Sequence, residues 1–564
     1  MQSSTRKHRA VGFCLGWLAS LAIAGPALAG SDAVFVGWQD LLDRIGLAEL
    51  PTGAGVVVAQ VEAAAGAGGT NYGPDQSHSE FQGKSFIAQS GPPGASGHAT
   101  TVGRDYYGLS SSVAPDISTI HLYHANGFLL GNFLRTSGDP FDSTPPLPLP
   151  DPNIRIFNHS WIGSFSNPDL PGYDPTPDNN ALRRADFAIV RDNTLMVAGV
   201  NNDELGDPSD GANRPLMSHL FNGVAVGVRD GTHTTAGTIA GIDGPGRMKP
   251  EVVAPGGATS FAAPVVSAVG AMLIETARTH PETSTNPDAQ RVEVLKSVLF
   301  AGANPESAHG TPWTNNPATS GPLRGVTSTP LDMVTGAGTV DVNISHLILT
   351  SGEQNGSTTV PLADTMGFSG WALEAVSTTP STARNRYWRF TLDRPVEELT
   401  FVTTWHRQIT SPFFATAAAG FDLTLRGAGE GGSLISLVGD AGLGVFDAGN
   451  VVSQSAVDNV EMLRVFGLQS GAYILHLRRT DSLSQQNWPV AVAWFIDGTP
   501  PGLDADLNGD GVVNGFDLGI LLASWSIPPT APGCGGTIPC AADLNGDGVV
   551  NGFDLGILLG SWTL

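Results

Sequence analysis

Cysteine is scarce in this chain, with three residues in 564. Cys14 lies in an apolar N-terminal stretch that reads as removable, which leaves Cys534 and Cys540, six positions apart in a Gly/Pro-rich loop. That spacing is not a zinc site, and in an exported chain it reads as a local disulfide. Cations are also few: 28 Lys and Arg stand against 52 Asp and Glu, a formal net charge of −24. This balance excludes the basic footprint of a nucleic-acid binder and adhesion to an anionic membrane. It fits a soluble extracellular protein that binds cations. Charged residues make up only 14% of the chain, yet 41% is hydrophobic, so disorder is excluded too. With 71 Gly and 40 Pro, the composition reads as turn-rich, β-containing globular structure. Beyond the N-terminus, no run is long and apolar enough to span a bilayer.

The N-terminus reads as an address. Arg6, Lys7 and Arg9 precede an apolar stretch from Val11 to Ile23, and Ala27-Leu28-Ala29 offers a small-x-small cleavage site. Residues 1–29 are therefore expected to be a signal peptide, and 30–50 a lead-in with an amphipathic stretch from Trp38 to Leu47. A chain this long needs more than one core.

From 51 to 350, β-like runs (Val56–Val61, Leu195–Gly199, Val224–Val228) alternate with helix-compatible stretches such as Ala262–Thr279. That alternation predicts an α/β domain with a mostly parallel sheet covered on both faces. From 351 to 500 the pattern shifts to short alternating segments parted by Gly, Asp and Ser, which predicts an antiparallel β-sandwich. From 501 to 564 a seventeen-residue segment starting at Asp506 recurs, identical, from Asp543.

The segment richest in chemistry is Lys249-Pro-Glu-Val-Val-Ala-Pro-Gly-Gly-Ala-Thr-Ser-Phe-Ala-Ala-Pro264. Its Gly-rich turn delivers Ser260 to the start of an apolar helix, where the backbone N–H and the helix dipole favour a developing oxyanion. For an arbitrary serine, an ordinary N-cap would be the better reading. Here the whole block resembles the nucleophile motif of subtilisin-like serine peptidases. Ser96-Gly-His-Ala-Thr-Thr-Val-Gly103, followed by Val113-Ala-Pro-Asp-Ile, is similar to that family's histidine region, with Thr101 where a second His is usual. The resemblance implies that His98 is the base a serine hydroxyl needs at neutral pH.

Strand Val56-Val-Val-Ala-Gln-Val-Glu62 ends in a carboxylate where the family carries Asp. Glu is one methylene longer and can still orient the imidazole, so Glu62 is expected as the third triad member, with Asp75 the fallback. Leu195-Met-Val-Ala-Gly-Val-Asn-Asn-Asp203 resembles the segment ending in the oxyanion Asn, which implies Asn201, with Asn202 one place off. Phe157-Asn-His-Ser-Trp-Ile-Gly163 looks like the edge on which the family lays its peptide substrate. The order carboxylate, His, Ser differs from chymotrypsin-like chains, and the Gly-x-Ser-x-Gly elbow of α/β-hydrolases is missing. The middle domain broadly resembles the jelly-roll accessory domains that follow secreted peptidase domains. Only about twenty residues separate the signal from the peptidase-like stretch, too few for the folding pro-domain usual in secreted subtilases.

In the repeats, Asp506, Asn508, Asp510, Val512 (through its carbonyl), Asn514 and Asp517 fall at EF-hand positions 1, 3, 5, 7, 9 and 12. Asp543, Asn545, Asp547, Val549, Asn551 and Asp554 repeat the set. Hard oxygen ligands at this spacing suit Ca²⁺, and Leu518–Leu522 and Leu555–Leu559 read as the helices that follow. The tandem resembles a dockerin, which implies a cohesin-like partner. Gly515-Phe516 and Gly552-Phe553 stand where well-known dockerins carry polar pairs. The expected function is thus a secreted endopeptidase acting on protein or peptide. The alternatives are an inactive subtilase-fold binding or matrix protein and a peptide-specific hydrolase or transpeptidase.

Overall fold

The computed structural model describes residues 31–564 apart from 67–68, 137–142, 203–213, 235–236, 307–309, 414, 485–486, 498–504, 506, 508–512, 527–541, 545–548, 561 and 563–564. The expected signal peptide and both expected disulfide cysteines lie outside the described residues.

The first unit is an α/β layer structure around seven parallel strands in the order β2-β3-β1-β4-β5-β6-β7. These are β1 (Val57–Glu62), β2 (Ser85–Ala88), β3 (Thr119–His124), β4 (Ile154–His159), β5 (Leu195–Gly199), β6 (Val224–Val228) and β7 (Val252–Ala254). Strands β4 to β7 are buried at every residue, as strands covered on both faces must be. The helices are α1 (Trp38–Ile45), α2 (Gly97–Tyr107), α3 (Ala125–Gly127), α4 (Thr176–Asp192), α5 (Thr259–Thr279), α6 (Val292–Ala301) and α7 (Val342–Thr350). Helix α5 packs on β4, β5 and β6 and against α2. It is the one described helix long and apolar enough to cross a membrane, but most of it is buried inside the protein.

The second unit is β-rich and mostly antiparallel. One sheet runs β10 (Asn385–Leu392), β19 (Gly471–Arg479), β14 (Phe421–Ala428), β17 (Val452–Ser453), β8 (Val326–Thr327), with β15 (Leu434–Ile435) on β14. The other runs β16 (Ala448–Gly449), β18 (Val460–Leu468), β11 (Val396–Thr404), β20 (Trp488–Ile496), β9 (Ser369–Val376). A separate pair joins β12 (Gln408–Thr410) and β13 (Ala415–Ala417). A shared core of Trp388, Phe390, Phe401, Leu475 and Trp494 fills the space between the two sheets. β8 comes from within the stretch expected to be peptidase, and it pairs with β17 in parallel. Sequence periodicity could not reveal this, because a two-residue strand has no period to read.

The units are interlocked. Helices α6 and α7 pack between α5 and the second sheet, and Val402, Met462 and Ala493 belong to the same apolar cluster as the first unit's core. Among the described residues, the last unit holds two helices, α8 (Gly515–Ala523) and α9 (Gly552–Gly560), packed through buried Leu521 and Leu558.

Candidate active site

In a parallel sheet, side chains gather where the strands end at their carboxyl edge. Glu62 closes β1, His98 stands in the first turn of α2, Ser160 follows β4, Asn201 follows β5, and Ser260 opens α5. All five therefore meet the same edge of the sheet.

Glu62 Oε2 lies 3.0 Å from His98 Nδ1, with the carboxylate 1% exposed and the imidazole 40%. Gln60, two residues earlier on the same face of β1, donates Nε2 to Glu62 Oε1 (3.0 Å) and to the Ala99 carbonyl (2.9 Å). Tyr107 in turn donates its hydroxyl to Gln60 Oε1. Burial pushes the Glu62 carboxyl above its ordinary value, against the pull of the His98 bond. The bond to that carboxylate raises His98 above 6.5, against desolvation. Asp75, the fallback, is turned elsewhere: its carboxylate takes the N–H and hydroxyl of Ser77.

Ser260 sits one residue into α5, and the ring of the next residue, Phe261, lies 5.7 Å from that of His98. Pro264 inside α5 has no N–H to give the Ser260 carbonyl four residues back. That carbonyl instead accepts the Ser160 hydroxyl at 2.8 Å, which ties the Thr259–Ser260 turn to the end of β4. Ser260 Oγ itself has a long contact, 3.5 Å, with the Ser160 carbonyl. The turn is also held from β5. Thr259 donates its N–H and hydroxyl to Asn202 Oδ1 (2.8 and 2.7 Å) and its hydroxyl to the Val200 carbonyl (2.6 Å). Gly199 permits this approach, since a Cβ there would stand 3.0 Å from the Thr259 carbonyl.

The two asparagines thus separate by environment. Asn202 anchors the Thr259–Ser260 turn. Asn201, 2% exposed, accepts the Arg214 N–H on Oδ1 (3.1 Å), so its amide donor end turns away from that contact. Beside it lies a hollow of about 320 Å³ lined by Ile162, Gly163, Phe165, Asn167 and Arg214. Gln60, Tyr107, Ser160 and Arg214 were not singled out from the sequence. A period-two reading of β1 would have found Gln60, and Ser160 stands within the Phe157–Gly163 segment marked as a substrate edge, but no local signal marks Tyr107 or Arg214.

Among the proposed calcium ligands, Asp506, Asn508, Asp510, Val512, Asn545 and Asp547 lie outside the described residues. Asn514 caps α8, and Asp517, fully buried, accepts the Asn514 N–H at 2.8 Å. Asp554, also buried, accepts the N–H of Asn551 and of Leu544, each at 2.7 Å. The Val549 carbonyl accepts Asn551 Nδ2 at 3.2 Å, and Asp543 is buried. Residues 501–564 contain no Lys, Arg or His, so the segment has no cation of its own to balance these carboxylates. The donor set therefore fits a hard divalent cation.

Residues 504–559 match the dockerin type I domain family, so the chain carries a C-terminal dockerin type I domain. No curated protein matches the chain. Among solved structures, the serine protease of Aeromonas sobria aligns at 12% identity over 79% of this chain and 88% of that one, with a TM-score of 0.33. The same protease in complex with its chaperone aligns at 12% identity over 79% and 89%, with a TM-score of 0.32. A lanthipeptide protease aligns at 15% over 56% and 95%, with a TM-score of 0.34.

Proposed function

We propose that the chain is a secreted serine endopeptidase with a subtilisin-like domain at 51–350, a jelly-roll-like accessory domain at 351–500 and a calcium-loaded dockerin at 501–564. The observation that carries this reading is the buried Glu62 carboxylate on His98 Nδ1, with the residue after Ser260 against the same ring. Ser260 Oγ attacks the scissile carbonyl while His98 Nε2 takes its proton. Glu62 keeps the other ring proton on Nδ1 and stabilises the imidazolium. The Ser260 N–H and the Asn201 amide hold the oxyanion. His98 then protonates the leaving amine, and water releases the acyl group by the reverse path. Ser260 Oγ, in a 3.5 Å contact with the Ser160 carbonyl, turns to His98 Nε2 as substrate binds, since catalytic hydrogen bonds often form fully only in the complex.

Ca²⁺, held by the two repeats, supplies charge balance that lets the dockerin fold. Exposed Phe516 and Phe553, at equivalent places on α8 and α9, are 76% and 46% exposed and suit a protein partner of cohesin type. The signal peptide, 1–29, sends the enzyme outside the cell, where the dockerin attaches it to a scaffold or surface.

The test is a fluorophosphonate label. Wild type should label at Ser260, and Ser260→Ala and His98→Ala should not. A folded wild-type protein that takes no label would favour the non-catalytic binding protein instead.

A further inference from the structure

The two β sheets of the second unit face different surroundings. The β9-containing sheet packs on α6 and α7, whereas the outer face of the β10-containing sheet is part-open, with Arg478 exposed, Tyr387, Asp422 and Arg426 half-buried, and Thr424 and His476 buried. Along β14, Phe421, Leu423 and Leu425 point into the core, so Asp422, Thr424 and Arg426 alternate onto the outer face. Register places His476 of β19 opposite Thr424 and Arg478 opposite Asp422. Together with Gln454 these side chains line a half-open hollow of about 320 Å³, with Leu323 and Val438 at its apolar rim. On the next strand, Tyr387 is opposite His476, and the two rings stack at 4.5 Å with 19° between their planes.

The charges here are unusual for this chain. Its net charge is −24, and most described arginines are in ion pairs or bonded to carbonyls. Among the described residues, neither Arg426 nor Arg478 makes an ion pair, and Arg426 Nε is buried without a hydrogen-bond partner. A buried guanidinium donor without an acceptor is costly unless something supplies one. Asp422 feels the Arg478 charge without ion-pair contact. His476 donates Nε2 to Asn385 Oδ1 at 2.9 Å, and burial with the two neighbouring arginines holds its pKa down to about 4, so it is an uncharged hydrogen-bonding ring.

We propose that this hollow binds an acidic saccharide, a glycan carrying carboxylate or sulfate groups on the Arg426 and Arg478 guanidiniums. Thr424, Gln454 and Asp422 then meet sugar hydroxyls, and the stacked Tyr387 and His476 rings sit beside them. Planar guanidinium forks match carboxylate and sulfate oxygens in pairs. An acidic peptide fits less well. The floor strands β19 and β14 are each paired on both sides, so no free strand edge offers the backbone hydrogen bonds that hold an extended peptide. The site lies away from the catalytic edge, so it stands or falls independently of the peptidase reading.

Binding is measured by titration calorimetry on the full chain with polygalacturonate, dextran sulfate, neutral dextran and polyglutamate as probes. One of the two acidic glycans should bind, and which one does tells carboxylate from sulfate. Neutral dextran should not bind, and polyglutamate should bind at least tenfold more weakly. Arg426→Ala with Arg478→Ala should weaken the glycan at least tenfold while leaving the thermal melt and the fluorophosphonate label unchanged. If that pair does not fold, exposed Arg478→Gln alone should still weaken binding several-fold. No binding of either acidic glycan overturns the proposal. So does polyglutamate binding as tightly as the glycan, or undiminished glycan binding by the folded arginine variants.

Discussion

Glu62→Gln tests the catalytic reading most sharply, because the surroundings of Glu62 dictate how a glutamine must sit. Gln60 donates Nε2 to Glu62 Oε1 and to Ala99, and its own oxygen is held by Tyr107, so Gln60 cannot flip. A glutamine at 62 must then turn its carbonyl to Gln60 and its NH₂ to His98. That makes His98 Nδ1 the acceptor and puts the ring proton on Nε2, where it blocks proton transfer from Ser260. The charge is lost as well. Opposite charges about 4 Å apart interact by about 4 kcal/mol at an effective dielectric of about 20. Screening at the 40% exposed imidazole reduces this to roughly half, a factor on the order of 30 in rate. With the wrong tautomer, the total loss in kcat should be about 10⁴-fold, as for orienting carboxylates in other triads. The pH profile gives a second readout. The base works when neutral, so activity falls as pH drops through the His98 pKa. The Glu62 carboxylate raises that pKa above 6.5, so the acid limb of kcat/KM should lie above 6.5 in the wild type. In the variant the limb of the residual activity should move down. Retained activity within tenfold, or an unmoved limb, refutes the role of Glu62.

Asn201→Ala should cut kcat by about 10²- to 10³-fold with little change in KM, measured on a chromogenic peptide, because an oxyanion donor acts in the transition state. Arg407→Ala leaves Asp186, bonded to Arg407 Nε at 2.5 Å, buried without its cation, at a cost of about 3–5 kcal/mol. A calorimetric scan should show the melt of the two large units fall together. Chelation of divalent cations should remove the helical signal and protease resistance of 501–564 while leaving fluorophosphonate labelling intact. Unchanged resistance of that segment in chelator would remove calcium from the account.

The parallel sheet was legible because its strands are apolar at almost every position and short, with turn residues between them. Leu195–Gly199 and Val224–Val228 read the same in sequence and structure. Edges moved by one to three residues: the first strand runs Val57–Glu62 where the β-like run read was Val56–Val61, and α5 starts at Thr259, ahead of the helix-compatible stretch from Ala262. For the site, Glu62 and His98 were named because their segments resemble motifs of a known family, and the structure brings the two side chains together. The Tyr107–Gln60 support could not, since Tyr107 lies 47 residues from Gln60 and meets it only through packing. Arg214 was hidden for the same reason. The second unit read as alternating short strands, but its join to the first rests on single side chains that no period marks.

Those joins bear on the site. Arg407 of the second unit pairs with Asp186 and Asp243 of the first, and its backbone N–H bonds Asn222 Oδ1 at 2.9 Å. Its guanidinium covers the Phe221 ring, and Asn459 holds the Phe221 carbonyl at 2.8 Å. From the other side, Lys249 of the nucleophile block reaches the Leu220 carbonyl at 2.9 Å and pairs with Glu251, which Lys296 also pairs. The Lys-Pro-Glu portion of that block therefore serves as a clamp behind the candidate site. The clamped run continues back to Leu216, whose N–H bonds the Gly163 carbonyl, and to Arg214, whose N–H fixes Asn201. One short stretch of backbone thus carries the Asn201 contact at one end and the second unit's grip at the other. Because packed interiors shift as units and do not bend smoothly, loosening the Arg407 end should disorder the Asn201 end before the distant Glu62–His98 pair is touched.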